Sequence, residues 1–252
     1  MNALEKHYFQ RCKEKYTSLG FKRLRRTYIR INGEYIQYFY LKKAWNAPRY
    51  TVEFETWPMY IKMFDFEKDF NCANFDVGDF YETKNPLYWP FMYDPTSDSD
   101  MIATAEILLQ FIDKYIIPYF DICTDSHSAY AATIQLFDER HRTCSRFCAN
   151  EGRDELKYYD MRVHNMALKA RDYAFAKEYL IRIIQNNESA LLDDYRTQEA
   201  IAEILARLEW MKEILHNVNL ENDLYFDRYF SENISEMHEY IRKKYPQIAK
   251  KA

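Results

Sequence analysis

FKRLRRTYIRINGEYIQYFYLKKAWNAPRYTVEFETW, residues 21–57, is the stretch that decides the fold. Two runs of β-branched and aromatic residues flank Asn32-Gly33. An Asn-Gly pair accepts positive φ at both positions, so it signals a two-residue type I′ hairpin. Further along, Tyr50, Val52 and Phe54 alternate with Thr51, Glu53 and Glu55. That period of two predicts an antiparallel strand with one apolar face and one charged, water-facing face. Trp57-Pro58 ends this strand or marks a bulge, and residues 59–65 are a further strand candidate.

Upstream, Leu4, Tyr8, Cys12, Tyr16 and Leu19 have helical spacing, with Gly20 at the C-cap position. Residues 67–99 are irregular in composition yet hold Phe70, Phe75, Phe80, Tyr81, Tyr88, Trp89, Phe91 and Tyr93. So aromatic a segment is core cover or an aromatic recognition surface, with a short strand near residues 87–92. After it come helical patterns. Asp98 or Ser99 caps the first, which Pro118 ends or kinks. Ser126 or Ser128 starts the next, and residues 154–170, 172–186, 190–217 and 222–245 follow. Ile201, Ile204, Leu205, Leu208, Met211 and Leu215 give one of these a 3–4 stripe. The order predicts an α+β fold, an N-terminal helix and small antiparallel sheet followed by a helical C-terminal half. The expected division is 1–125, α+β, and 126–252, a helical domain or extension.

Glycine is scarce. The 252 residues contain 4, where average usage gives roughly 18. Gly20, Gly33, Gly78 and Gly152 are too scattered for GxGxxG or GxxxxGK[ST], which removes glycine-built phosphate cradles. GxSxG, HExxH and CxxC are also missing, and no cofactor is expected. Mean hydropathy is -0.59, charges interrupt every apolar window, and the N-terminal residues are charged. A cytoplasmic protein without a membrane span is therefore expected.

Charge is uneven. Residues 1–50 carry 12 Lys/Arg and 3 Asp/Glu, whereas residues 51–100 carry 3 and 11. A basic block beside an acidic one is a nucleic-acid patch or two strands pairing their charges across a sheet. Arg23 and Arg25 share a strand face, as do Glu53 and Glu55, so the expectation is a ladder joining the two pairs. Paired carboxylates also suit acid–base work. Lys22, Arg23, Arg25, Arg26 and Arg30, interleaved with Tyr28 and Tyr35, could hold phosphates and stack bases. The pI of about 5.9 argues against that reading.

His141, Cys144 and Cys148 share a helix face and could meet a zinc ion, but the spacing is no zinc knuckle and no metal is expected. The five cysteines, Cys12, Cys72, Cys123, Cys144 and Cys148, read as small buried hydrophobes. Ser126-His127-Ser128 cannot form a dyad between neighbours, and Asp125, Ser126 and Ser128 read as capping groups.

The helix followed by Gly20-Phe21-Lys22, the basic-aromatic strand ending at Arg30, the strand with Gln37 and the strand 50–57 together resemble a bacterial family catalogued as domain of unknown function 4304. Ile117-Pro118-Tyr119-Phe120 fits its later part, so the resemblance covers roughly residues 1–140. It implies no activity and no catalytic residues. MALKARDYAFAKEYLIRII, residues 166–184, resembles a single tetratricopeptide-type helical pair, with Asp172-Tyr173-x-x-Ala176 at its turn. Repeat arrays need about three units.

Two functions remain open. One is a non-enzymatic module that binds another protein, a toxin-neutralising immunity protein being one version, with Arg23, Arg25, Tyr28, Arg30, Glu53, Glu55, Tyr88 and Trp89 as the candidate surface. The other is an enzyme or binder acting on a phosphorylated or nucleic-acid substrate through Arg23–Arg30. A nucleic-acid partner is not expected, and neither is a membrane.

Overall fold

A computed structural model describes residues 1–61, 75–80, 91–143, 161–191 and 197–249, without the side chains of 79–80, 140–143, 161 and 190. The architecture is α+β: an N-terminal helix, a five-stranded antiparallel sheet and a helical C-terminal half.

Helix α1, Ala3–Tyr16, is capped by Asn2, whose side chain accepts the Glu5 N–H. Gly20, at φ 88, closes the turns beyond the helix, and Phe21 N–H returns to the Tyr16 carbonyl at 3.2 Å. This left-handed exit is the reason for a glycine here. The sheet then runs β1 (Lys22–Leu24), β2 (Thr27–Asn32), β3 (Tyr35–Lys43), β4 (Tyr50–Pro58) and β5 (Phe75–Asp76), each strand pairing with the next. The hairpin between β2 and β3 has two loop residues, but they are Gly33 and Glu34, because Asn32 is already paired with Tyr35. Only Gly33 has positive φ, 57°, which is the φ pattern of a type II′ turn with glycine first, not the expected I′. β4 ends at Pro58, a turn follows at 59–60, and residues 62–65 and 87–90 lie outside the described residues.

Helix α2, Asp98–Phe111, is capped by Ser97, one residue before the expected caps. A π-turn at Ile112–Ile116, in which Ile117 N–H bonds the Ile112 carbonyl, leads without a break into α3, Ile117–Ile122, so Pro118 follows a π-turn inside a continuing helix and does not end it. Helix α4 is Ser126–Thr143; Asp125 accepts the N–H groups of His127 and Ser128, both at 3.0 Å. Among the described residues, α5 (Met161–Lys169), α6 (Tyr173–Ala190), α7 (Gln198–Asn219) and α8 (Asp223–Lys244) follow, then one turn, α9 (Pro246–Ala249). Along α7 the buried apolar residues are Ile204, Leu208, Met211, Ile214 and Val218, whereas Leu205 of the predicted stripe is exposed.

Both faces of the sheet are covered. On one, Tyr28 stacks on Phe39 at 5.3 Å, Phe39 meets Tyr16 of α1, and Phe54 meets Phe120 of α3. On the other, Ile29, Ile36, Tyr38 and Tyr40 pack against Met237 and Ile241 of α8, Tyr245, and Ile248 of α9. β4 is therefore buried along nearly its whole length, including Thr51, Glu53, Glu55 and Thr56. This corrects the expected water-facing edge. One apolar cluster runs from Leu4 to Phe230, so the sheet and the helical half share a core.

The α5–α6 turn recurs fifty residues on. Arg171 has φ 63, Arg171 N–H bonds the Leu168 carbonyl, Asp172 N–H bonds that of Ala167, and Asp172 caps Phe175. Glu221 has φ 47, Glu221 N–H bonds the Val218 carbonyl, Asn222 N–H bonds that of Asn217, and Asn222 caps Tyr225. Among its described residues the helical half thus contains two hairpins built on one turn, where the sequence showed one.

Replacing Gly20 by alanine meets no steric neighbour within 4 Å but must hold φ 88. We expect a loss of about 1 kcal/mol in denaturant unfolding.

Candidate functional site

The residues that sequence reasoning grouped as one surface separate in the structure. Arg23 stands opposite Tyr28, Tyr28 opposite Phe39 and Phe39 opposite Phe54, so these four share a sheet face. Glu53 and Glu55 stand opposite Tyr40 and Tyr38 on the other face. β2 and β3 also lie between β1 and β4. The expected ladder of Arg23 and Arg25 with Glu53 and Glu55 is therefore not formed. The register puts Arg23 on the face opposite Glu53 and Glu55, and Arg25 lies beyond the end of β1, in the turn, and takes no place on a strand face.

Arg23, Tyr28, Arg30, Glu53 and Glu55 each have an intramolecular use. Exposed Arg23 lies over the Phe9 ring at 3.7 Å and donates to the Arg25 carbonyl at 2.7 Å. Arg25 occupies the β1–β2 turn at φ 54 and is exposed. Tyr28 is buried, its hydroxyl donating to the Phe9 carbonyl at 3.1 Å, so it belongs to the core and not to a surface. Arg30 is mostly buried. It donates to Gln37 at 2.6 Å and Asp121 at 2.8 Å and stacks on Phe21. Buried Gln37 passes this on, donating to the Phe120 carbonyl at 2.6 Å. Arg30 therefore ties α3 to the sheet. Tyr88 and Trp89 lie outside the described residues, as do Cys72, Cys144 and Cys148 and the side chain of His141.

The buried face of β4 is the most charged place in the interior. Glu55 pairs with Arg162 of α5 at 3.1 Å, and that guanidinium lies 4.8 Å from the Trp57 ring. Glu53 accepts from the Tyr40 hydroxyl and the Lys42 ammonium. Asp76, opposite Glu53, accepts from the Thr51 hydroxyl and from Gly78 N–H at 2.7 Å, with Arg49 at 4.0 Å. Burial raises the pKa of Glu53 despite Lys42 and Tyr40, which oppose it; burial likewise raises Asp76. Burial also pushes the Cys123 thiol up to about 12 and Cys12 well above the ordinary thiol range, so neither is a ready nucleophile.

His164, one residue pair along α5 from Arg162, has no exposed surface and no hydrogen-bond partner for either ring nitrogen. Its ring stacks on Tyr179 at 5.5 Å, and burial lowers its pKa to about 3. No cluster of three or more His, Cys, Asp or Glu side chains suited to a metal ion occurs among the described residues. A shallow cleft of about 240 Å³, lined by Ile31, His238, Ile241, Arg242 and Ala249, lies between β2 and α8–α9 and touches none of Arg23, Glu53 and Glu55.

These groups set opposite pH slopes. Glu53 and Asp76 hold a proton more tightly folded than unfolded, so the stability they contribute is lost as pH rises from the ordinary carboxylate pKa through their raised values. His164 binds its proton more tightly unfolded, so stability is lost as pH falls below 6.5, at up to about 1.4 kcal/mol per pH unit. In denaturant unfolding at a series of pH values, Glu53→Gln should gain on the wild type as pH rises from 4 to 7. His164→Phe, which keeps the ring stack, should gain on it as pH falls below 6.5. Parallel curves would contradict both assignments.

No helix among the described residues is long and apolar enough to cross a membrane. No family model matches the chain, and no curated protein and no solved structure matches it.

Proposed function

We propose that this protein is a non-enzymatic module that binds another protein, and that neutralising a toxin is a concrete form of that role. The observation that carries the reading is the use of Glu53, Glu55 and Arg30, the strongest acid–base and anion-binding candidates. Each is held in an intramolecular ion pair: Glu55 with Arg162 beneath packed side chains, Glu53 and Arg30 largely buried themselves but with partners, Lys42 and Asp121, that reach the surface. Groups so committed stabilise a scaffold and are poorly placed to meet substrate. The paired helical hairpins agree with a binding role.

Purification of the tagged chain from its native host, after mild cross-linking, tests this. The expected result is one stoichiometric protein partner, and for the toxin version a partner whose activity the chain blocks. Turnover of a phosphoester or nucleic acid by the purified chain, abolished in Glu53→Gln, would overturn it in favour of an enzyme.

A further inference from the structure

Trp45 is 95 % exposed, the most exposed large apolar side chain among the described residues. A tryptophan normally buries most of its large ring, so an indole left in water forgoes a substantial hydrophobic gain. Nor is the segment carrying it loose. Residues 44–49 join the two longest strands. Ala44 N–H bonds the Arg49 carbonyl at 3.0 Å, Arg49 N–H that of Ala47 at 2.8 Å, and Tyr93 N–H that of Pro48 at 3.0 Å. Arg49 also bridges to Met92, itself 43 % exposed. The fold thus holds an indole outward on a braced loop, with a second apolar side chain on the adjoining segment.

Sheet topology brings cations to the same end. Thr27 stands opposite Tyr40, and Leu41 N–H reaches the Arg26 carbonyl, so the β1–β2 turn lies level with the end of β3. Exposed Arg23, Arg25 and Lys43 are therefore on the Trp45 side of the sheet. Of the acids on adjoining elements, Glu5 is held by Arg26 and Tyr50, Glu53 by Lys42 and Tyr40, and exposed Asp94, next to Tyr93, accepts from the Thr96 N–H at 2.8 Å and hydroxyl at 2.7 Å. Among the described residues no carboxylate pairs with Arg23 or Lys43; they lie against the rings of Phe9 and Tyr50.

We propose that Trp45, with Arg23 and Lys43, forms a docking surface for an acidic segment of a partner protein, the indole taking an apolar residue of that segment. The proposal rests on the interaction reading above and gives it a place and a partner chemistry. Tryptophan and arginine dominate the energetics of protein interfaces, and a rim of like charge selects and steers an oppositely charged partner. A long polyanion suits the surface less, because the chain as a whole carries a net charge of -4. A lipid surface also suits it less, since stable membrane attachment takes an amphipathic helix or two anchors, and here one indole projects.

Selection of random dodecapeptides displayed on phage against the immobilised full chain, followed by fluorescence anisotropy with the selected peptides, tests it. The binders should be rich in Asp and Glu around one large apolar residue. Trp45→Ala should weaken them at least tenfold and Lys43→Glu severalfold, with the melting temperature unchanged because both side chains are exposed. Neutral or basic binders, no binders, or equal affinity for Trp45→Ala would overturn the proposal. Phosphatidylserine vesicles and a labelled 20-nucleotide single strand are the controls; Trp45-dependent binding to either assigns the surface to lipid or nucleic acid and overturns it too. A host partner that binds Trp45→Ala as well as wild type removes this surface while the interaction reading stands. The absence of any host partner removes both.

Discussion

The helical half closes over a sheet face that carries two glutamates, and much of the structure follows from that. A carboxylate taken out of water costs several kcal/mol unless a cation and hydrogen bonds replace its hydration. Glu55 obtains Arg162 from α5, 107 positions along the chain, and Glu53 obtains Lys42 and Tyr40 from the neighbouring strand. Arg162 is itself sheltered, between Glu55 and the Trp57 ring. The pair fixes α5 against β4. Asn233 of α8 donates to the Tyr60 carbonyl at 2.9 Å just beyond the same strand, fixing a second helix to it. Apolar packing between sheet and helices supplies the bulk of the burial; the ion pair selects one seating among those that packing alone would allow.

The same arrangement bears on function. Acid–base chemistry needs a titrating group within reach of a substrate, and the interior carboxylates are instead held by their neighbours. His164 is neutral and unpartnered but sealed in the helical core. Among the described residues the most exposed large apolar side chain is Trp45, on its braced loop. A rigid indole loses little entropy on binding, which is the property an interface anchor needs.

Much of the sheet could be read from residues 21–57, because alternation and a glycine turn are local signals. The finer errors have physical causes. Asn32 looked like a loop residue, but Gly33 alone takes positive φ, and the register moves by one. Glu55 looked water-facing because its partner, Arg162, lies more than 100 positions away and no local pattern announces it; Glu53 is met by Tyr40 and Lys42 from the neighbouring strand. Tyr28 sat in a basic run that reads as surface, yet its hydroxyl meets a carbonyl of α1 and its ring completes the core. The second helical hairpin went unread because Asn222 replaces the capping Asp172 and Phe226 replaces Ala176, so the turn is kept while the motif is not. Trp45 carried a readable signal, an aromatic residue between Lys42-Lys43 and Arg49 in a turn-rich segment, but exposure itself is a tertiary property.

A double-mutant cycle on Glu55 and Arg162, read by denaturant unfolding at neutral pH, bears most directly on the claim that a buried ion pair seats the helical half on the sheet. Glu55→Gln and Arg162→Met should each cost about 3–5 kcal/mol, since each leaves its partner buried without a counter-charge. The double variant should cost about 2 kcal/mol or more less than their sum. Single losses below about 0.5 kcal/mol, or losses that add within about 0.5 kcal/mol, would contradict the account.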